Sequence, residues 1–447
     1  MDSMVTYNKI WRRYTGRLAK NLAAIALLLL GILNPVTGNG FDSSAGFFVL
    51  GLVSVAVFKN SKQYLFLLAL VSFAFYIKTK GFDLMIIYGL LAGISLSSIL
   101  EKFKVEKFRV LVLVLVFLAS SVVTSSNLRA MLTRDLPLYT YNNDEGAFLK
   151  TYKMMKSGVS YYDAYRVAFM GKFANHTVPG DVWGWRMPTI FEIWKVMPGN
   201  GIGIYILYLI LASSVIYASY QVGKRYLGSN LALLPAYLVF PYLHFAARDE
   251  ILLLTEWWSV AFFFLGLYLF VARKHFPAIL LLALTVLIRE VYIMPLVLMF
   301  LYFVLKFKKE AVVFLIPLVA FFVLLFYHIL SLSSYIDAWH SLFAARIVSN
   351  GALFVEQTLA FASWEYLLFA ARPFVLFLVL SLFGCWHMYR AGRKDEAFVW
   401  MLAFLSFPIA FMRFGTVPYN DYWGVMYMPI VLILAPIALG NLQTGKK

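Results

Sequence analysis

Four groups of charged residues stand out because each sits at the end of an apolar run. The first is Asn142, Asn143, Asp144 and Glu145. A carboxylate there is placed to take a proton from an incoming hydroxyl. Asn-Asp followed by Glu is equally the N-terminal signature of a helix beginning near Gly146. The second group is Arg248, Asp249 and Glu250, with Glu256 about two turns further on, so that Asp249 and Glu256 would share a helix face. Ionisable groups this close to hydrocarbon must pair or face a watery cavity. The third, Arg289 with Glu290, interrupts two short apolar runs and reads either as a salt bridge at a helix break or as an arginine whose planar donor fork meets a phosphate. The fourth is Arg413 with Tyr419, Asn420, Asp421 and Tyr422, a site wall or an ordinary interfacial turn. His244 and His340 read as hydrogen-bonded structural residues, since no two histidines have metal-ligand spacing. One cysteine, Cys385, excludes an intrachain disulfide. There is no P-loop, dinucleotide glycine pattern or Gly-x-Ser-x-Gly elbow.

The elements that position these groups must be membrane helices. Of 447 residues, 62% are hydrophobic and 14% charged, against roughly a quarter charged in soluble domains. The mean hydropathy of +0.78 excludes a soluble enzyme, a disordered chain and a coiled coil. Reading apolar runs that approach roughly 20 residues as crossings gives about fourteen. Four fall in an N-terminal extension, 1–109. The rest belong to a core, 110–447, with approximate cores Val110–Ser125, Ile202–Val222, Leu231–Phe245, Ile251–Val271, Phe276–Ile288, Val291–Leu305, Ala311–Leu330, Leu367–His387, Ala397–Met412 and Trp423–Leu439. The expected fold is an all-α polytopic membrane protein.

The net charge of +17 would in a soluble chain point to nucleic acid. Here the basic residues fall in alternate loops: Lys59 and Lys62, Lys102 to Arg109, Lys224 and Arg225, Arg273 and Lys274, Lys306 to Lys309, Arg390 to Lys394, and both chain ends. That is the mark of the cytoplasmic side. The charge is therefore a topology signal, both termini are expected in the cytoplasm, and no nucleic-acid partner is implied. One long span over Phe276–Leu305 would move Lys306 to Lys309 to the other side, so two short helices or a re-entrant hairpin are expected there. The opposite face carries two long segments, 127–201 and 331–366. Within the first, Gly146–Met155 and Tyr161–Met170 have the spacing of amphipathic helices on a membrane surface, and Trp183, Trp185 and Trp194 suit an interface.

All four charged groups land on this face, which describes a cavity for a polar ligand arriving from lipid. The stretch Asp144-Glu145, Gly158, Tyr161-Tyr162-Asp163, continuing through Arg186-Met187-Pro188-Thr189 into the next span, resembles the GT-C class of integral membrane glycosyltransferases, the protein-mannosyltransferase-like enzymes that use polyprenyl- or dolichyl-phosphate sugars. The match is one of layout plus short motifs, runs from Val110 to the C-terminus, and departs from the family in the four preceding spans. It implies an inverting sugar transfer at the extracytoplasmic face of the plasma membrane, in envelope glycan biosynthesis, from a polyprenyl-phosphate donor to a glycan, lipid or protein hydroxyl. Asp144 would be the general base and Glu145 its neighbour and substitute. Asp249 or Glu250 would orient the acceptor or hold a divalent ion, Mg²⁺ or Mn²⁺, as an optional cofactor. Arg289 would meet the lipid phosphate. Arg186 of the Arg-x-Pro segment, Arg248, Glu256 and Glu290 would line the substrate site, and Arg413 or Asn420-Asp421 would close it. A transporter or lipid flippase, with ionisable groups nearer the bilayer midplane and paired repeats, is the alternative, as is an envelope-polysaccharide polymerase or ligase.

Overall fold

Long apolar runs leave the backbone no partner but itself, and helices result. In the computed structural model the described residues are 106–133, 144–170, 182, 184–227, 231–248, 250–336, 351–366, 371–413 and 421–442. They contain α- and 3-10 helices and no strand. The four N-terminal spans, Asp249, His340 and Asn420 lie outside the described residues.

The chain enters through α1 (Glu106–Thr124) and α2 (Ser126–Thr133), which bend by 65° about Ser125. The long loop folds into α3 (Asp144–Lys156), α4 (Tyr161–Met170) and α5 (Thr189–Val196). Both expected loop helices are present, and α3 begins two residues early, with Asp144 and Glu145 in its first turn. Then come α6 (Ile202–Leu227) and α7 (Leu234–Arg248). A 3-10 turn at Glu250–Leu253 precedes α8 (Thr255–Val271), with Leu254 between them in extended backbone (φ −68°, ψ 129°). The helix expected to run on from Ile251 is thus broken at Leu254. Glu256 is the second residue of α8, beyond that break, and Asp249, expected on the same helix face, lies outside the described residues.

Next, α9 (His275–Ile288) and α10 (Ile293–Leu305) are separate helices joined by the turn Glu290–Tyr292, as the charge pattern required. They are followed by α11 (Ala311–Leu332), α12 (Gly351–Tyr366), α13 (Ala371–Arg390) and α14 (Lys394–Phe411). The last apolar run is not one helix: a 3-10 stretch at Asp421–Met426, α15 (Met428–Leu434) and a second 3-10 stretch, Ala435–Leu442, share it.

Among the described residues α6 and α11 are long and apolar enough to cross a membrane, and the bent pair α1–α2 makes a third if counted as one span. The shorter apolar helices include α8, α9 and the turn-plus-α10 segment. Almost every residue of α8 is buried, and it packs against α6 and α9. Gly266 allows the closest approach, since a Cβ there would lie 2.9 Å from Leu282 of α9. By contrast α11 buries one face (Phe314, Leu318, Phe321) and exposes the other (Val312, Val319, Phe322, Val323, Phe326). Apolar side chains presented outward at helical spacing are costly in water and cost nothing against lipid tails.

The basic turns converge at one end. Arg225 of α6 holds Glu396 of α14 at 3.0 Å, Arg273 holds Glu310 at 3.1 Å, and Lys308 pairs with Asp395. These partly exposed pairs are each worth at most about 1 kcal/mol, so they record register more than they stabilise. They show that turns expected on one side do lie together.

Candidate functional site

The charged groups gather at the other end. Arg289 follows the last residue of α9, where the helix stops because the backbone turns extended (φ −140°, ψ 107°). Its side chain is 0% exposed. Nη2 lies 2.7 Å from Oε1 of Glu256 at the start of α8, and Nη1 donates to Oε1 of Glu290 at 3.2 Å. The Trp423 ring lies 6.0 Å from the guanidinium carbon. Glu256 is 1% exposed and also accepts from the Thr255 hydroxyl at 3.3 Å. The contact with Glu256 is close but not aligned as a hydrogen bond, and neither Nε nor Nη2 of Arg289 has an aligned acceptor among the described residues. The salt bridge read from the sequence is therefore present, yet it leaves a buried guanidinium with donor capacity to spare.

Three further segments close around this pair. The turn Glu290–Tyr292 is tied to the C-terminal segment by Tyr292, whose hydroxyl donates to the Met426 carbonyl at 2.8 Å. The stretch Asp421–Met426 packs on α8 and α12. Its fit to α12 depends on Gly424, where a Cβ would stand 2.0 Å from the Thr358 carbonyl oxygen. The loop segment before α5 brings Arg186, which is half-buried. Burial disfavours its charge, but Tyr422, Glu256, Tyr165 and Glu290 more than offset this, and its pKa lies above the ordinary arginine value. Two guanidinium groups and two carboxylates from four segments thus lie within electrostatic reach of one another.

The position of Arg186 is set by α4. Tyr161 donates its hydroxyl to the Arg186 carbonyl, and Tyr165 donates to the Gly184 carbonyl at 3.1 Å. Burial raises both phenol pKa values, which keeps both groups protonated donors. Trp185 stacks on Tyr165, with ring centroids 5.2 Å apart. On its other side α4 is pinned to the end of α11: Tyr162 and His328 Nδ1 are 2.9 Å apart, and Tyr335 donates to Asp163 at 3.0 Å. Hydrogen bonds from Ser160 and Tyr335 hold the Asp163 carboxyl below its usual pKa.

Asp144 and Glu145 are half-buried at the start of α3, which packs on α4, α5 and the turn containing Glu250. One turn into α3, Phe148 reaches Tyr165 at 6.5 Å and Phe191 at 5.5 Å. The N-terminal turn carrying both acids therefore adjoins the layer that holds Arg186. Their place in that first turn puts negative charge at the positive end of the helix dipole. Glu250 opens its own turn, and among the described residues no three His, Cys, Asp or Glu side chains converge on a metal position. Arg248 ends α7 and Asp421 begins the C-terminal 3-10 stretch. Arg413 is exposed beyond the end of α14. His244 is buried, stacked on Phe240 and 3.5 Å from the Thr124 hydroxyl, in line with the hydrogen-bonded structural role read from the sequence.

The structure thus brings Arg186, Glu256, Arg289 and Glu290 together. It adds Tyr161, Tyr165, Tyr292 and Trp423, which sequence reasoning had not assigned to the site. The available signal was the four-residue spacing of Tyr161 and Tyr165, which puts them on one helix face. No family profile, curated protein or solved structure matches this chain.

Proposed function

We propose that the chain is a polytopic membrane glycosyltransferase of GT-C type, with about fourteen crossings, both termini cytoplasmic and its site on the extracytoplasmic face of the plasma membrane. The observation that carries the reading is the buried Arg289. It has spare donors, stands beside a second arginine, and lies at the end of the bundle opposite the basic turns. Guanidinium groups with unfilled donor positions suit the oxyanion of a lipid phosphate. In the proposed reaction an acceptor hydroxyl attacks the anomeric carbon of the sugar. The bond from that carbon to the phosphate oxygen breaks with inversion, its electron pair leaves on the polyprenyl phosphate, and Asp144 takes the acceptor proton. Arg186 and Arg289 stabilise the departing phosphate. Glu256 and Glu290 hold Arg289 in place until a phosphate competes for it. Glu145, Glu250, Arg248, Asp249, Arg413, Asn420 and Asp421 complete the proposed rim. A carboxylate pair at Asp249 and Glu250 would take a hard divalent ion such as Mg²⁺ or Mn²⁺; no step above depends on one.

The test is sugar transfer in membranes supplied with polyprenyl-phosphate sugars. Asp144→Asn is expected to abolish turnover while leaving expression and folding intact, and unchanged turnover would refute the reading. A second reading, a transporter or lipid flippase, is favoured by one observation: a broken helix pair with a buried ion pair at the break. It predicts movement of a lipid or solute across proteoliposomes with no glycosidic product.

A further inference from the structure

The basic end of the bundle carries a feature that sugar transfer does not use. Three of its turns end in the same cap, in which one residue has a left-handed backbone and two amides reach back into the preceding helix. After α8, Arg273 and Lys274 donate to Phe270 and Leu269; after α10, Phe307 and Lys308 donate to Val304 and Phe303; after α13, Gly392 and Arg393 donate to Tyr389 and Met388. Glycine is the residue that takes such a position without strain. Gly392 does so (φ 82°), whereas Arg273 (φ 62°) and Phe307 (φ 52°) are the only non-glycine residues with positive φ among the described residues. Phe307 is 98% exposed and Phe276, on the neighbouring turn, is 73% exposed. The Arg273–Glu310 pair joins these two turns.

The charge around them is one-sided. Glu310, Asp395 and Glu396 are already paired to Arg273, Lys308 and Arg225. Lys274, Lys306 and Lys309 are exposed beside the two phenylalanines and form no ion pair with another described residue. A strained, fully exposed aromatic ring between these lysines gains nothing from water. It suits an interface in which the ring enters the boundary of the acyl chains and the lysines meet anionic headgroups.

We infer that the turns after α8 and α10 form a binding surface for anionic phospholipid headgroups, with Phe276 and Phe307 as wedges and Lys274, Lys306 and Lys309 as the charge contacts. The inference rests on the helices crossing a bilayer and is independent of the sugar-transfer reading. The test uses the full-length protein in mild detergent with added phosphatidylglycerol, phosphatidylcholine of the same acyl chains, or inorganic phosphate. Melting is followed by tryptophan fluorescence and bound lipid is counted by native mass spectrometry. Phosphatidylglycerol is expected to raise Tm and stay bound, with the increment falling as salt rises, while the other two additives do neither. Lys306→Gln with Lys309→Gln should halve the increment or more and leave the lipid-free Tm unchanged. Phe307→Gly should raise the lipid-free Tm, because strain is relieved, and still lower the increment. Equal stabilisation by phosphatidylcholine or phosphate, an increment that survives the lysine changes, or a lower lipid-free Tm in Phe307→Gly each overturns the inference. Sugar-transfer activity plays no part in these readouts, so the two readings fail separately.

Discussion

Glu256→Gln is the substitution that most directly tests whether the buried cluster is as dry as its geometry implies. At an effective dielectric of about 20, the Arg289–Glu256 contact at 2.7 Å corresponds to about 6 kcal/mol of attraction and the Glu290 contact at 3.2 Å to about 5 kcal/mol. Most of each is offset by the cost of taking the ions out of water, so the measurable loss on removing one partner is smaller, about 3 kcal/mol for a fully buried pair. Glutamine keeps the shape and one acceptor of Glu256, removes the charge and turns the other oxygen into an amide donor. Glu290 is 15% exposed against 1% for Glu256, so Glu290→Gln should cost about 1 kcal/mol, in the range of water-screened pairs. Arg289→Met alone strands Glu256, and adding it to Glu256→Gln should recover at least about 2 kcal/mol relative to the sum of the single losses. The assay is denaturant unfolding of the detergent-solubilised full chain, followed by tryptophan fluorescence. If Glu256→Gln lies within about 0.5 kcal/mol of wild type, or the two changes add without coupling, the charges are hydrated and the argument from burial is wrong.

Three further outcomes follow from the same contacts. Gly424→Ala drives a Cβ into the Thr358 carbonyl and should cost about 1–3 kcal/mol as an overpacking change, lowering the unfolding midpoint and any activity together; an unshifted midpoint would show that the two segments part easily. Arg186→Ala should weaken use of a polyprenyl-phosphate sugar donor more than use of the acceptor, read as separate apparent affinities, and equal effects on both would remove its phosphate role. Asp163 has a lowered folded-state pKa, so its contribution to holding α4 is complete above its unfolded value, about 4, and is lost as pH falls through the folded value. Protection of α4 amides in hydrogen exchange should fall over that acid range in wild type, whereas Asp163→Asn should show low protection already at neutral pH. A flat profile in wild type would refute the staple.

Much of the bundle was legible because its signals are local. Runs of apolar residues make helices whatever surrounds them, and lysines and arginines mark the turns that stay together. Thus α6 and α11 fall where the hydropathy placed them, and α3 and α4 where apolar spacing did. The division at Arg289 was legible from the charge pattern alone, because one long helix would have separated Arg273 from Glu310, and the two are paired. The break at Leu254 was not. Leu-Leu-Leu-Thr is compatible with helix, and only the packing of the Glu250–Leu253 turn against α3 and α7 makes an extended residue there acceptable. The subdivision of the final apolar run had a local signal in Pro429, at the first turn of α15, and Pro436, just past its end, whereas the contact of Gly424 with α12 had none.

The site divides in the same way. Residue types and spacing alone marked Glu256, Arg289 and Glu290 as ionisable groups close to hydrocarbon on one face, while Arg186 was singled out only by the resemblance of its Arg-x-Pro segment. Only the tertiary structure decided that Glu256 faces Arg289, that the guanidinium is sealed from water, and that tyrosines of α4 carry Arg186 to it. Burial and pairing depend on which helices meet, and those meetings are fixed by contacts such as Gly266 on Leu282, Gly424 on Thr358 and Tyr292 on Met426, between residues far apart in the chain.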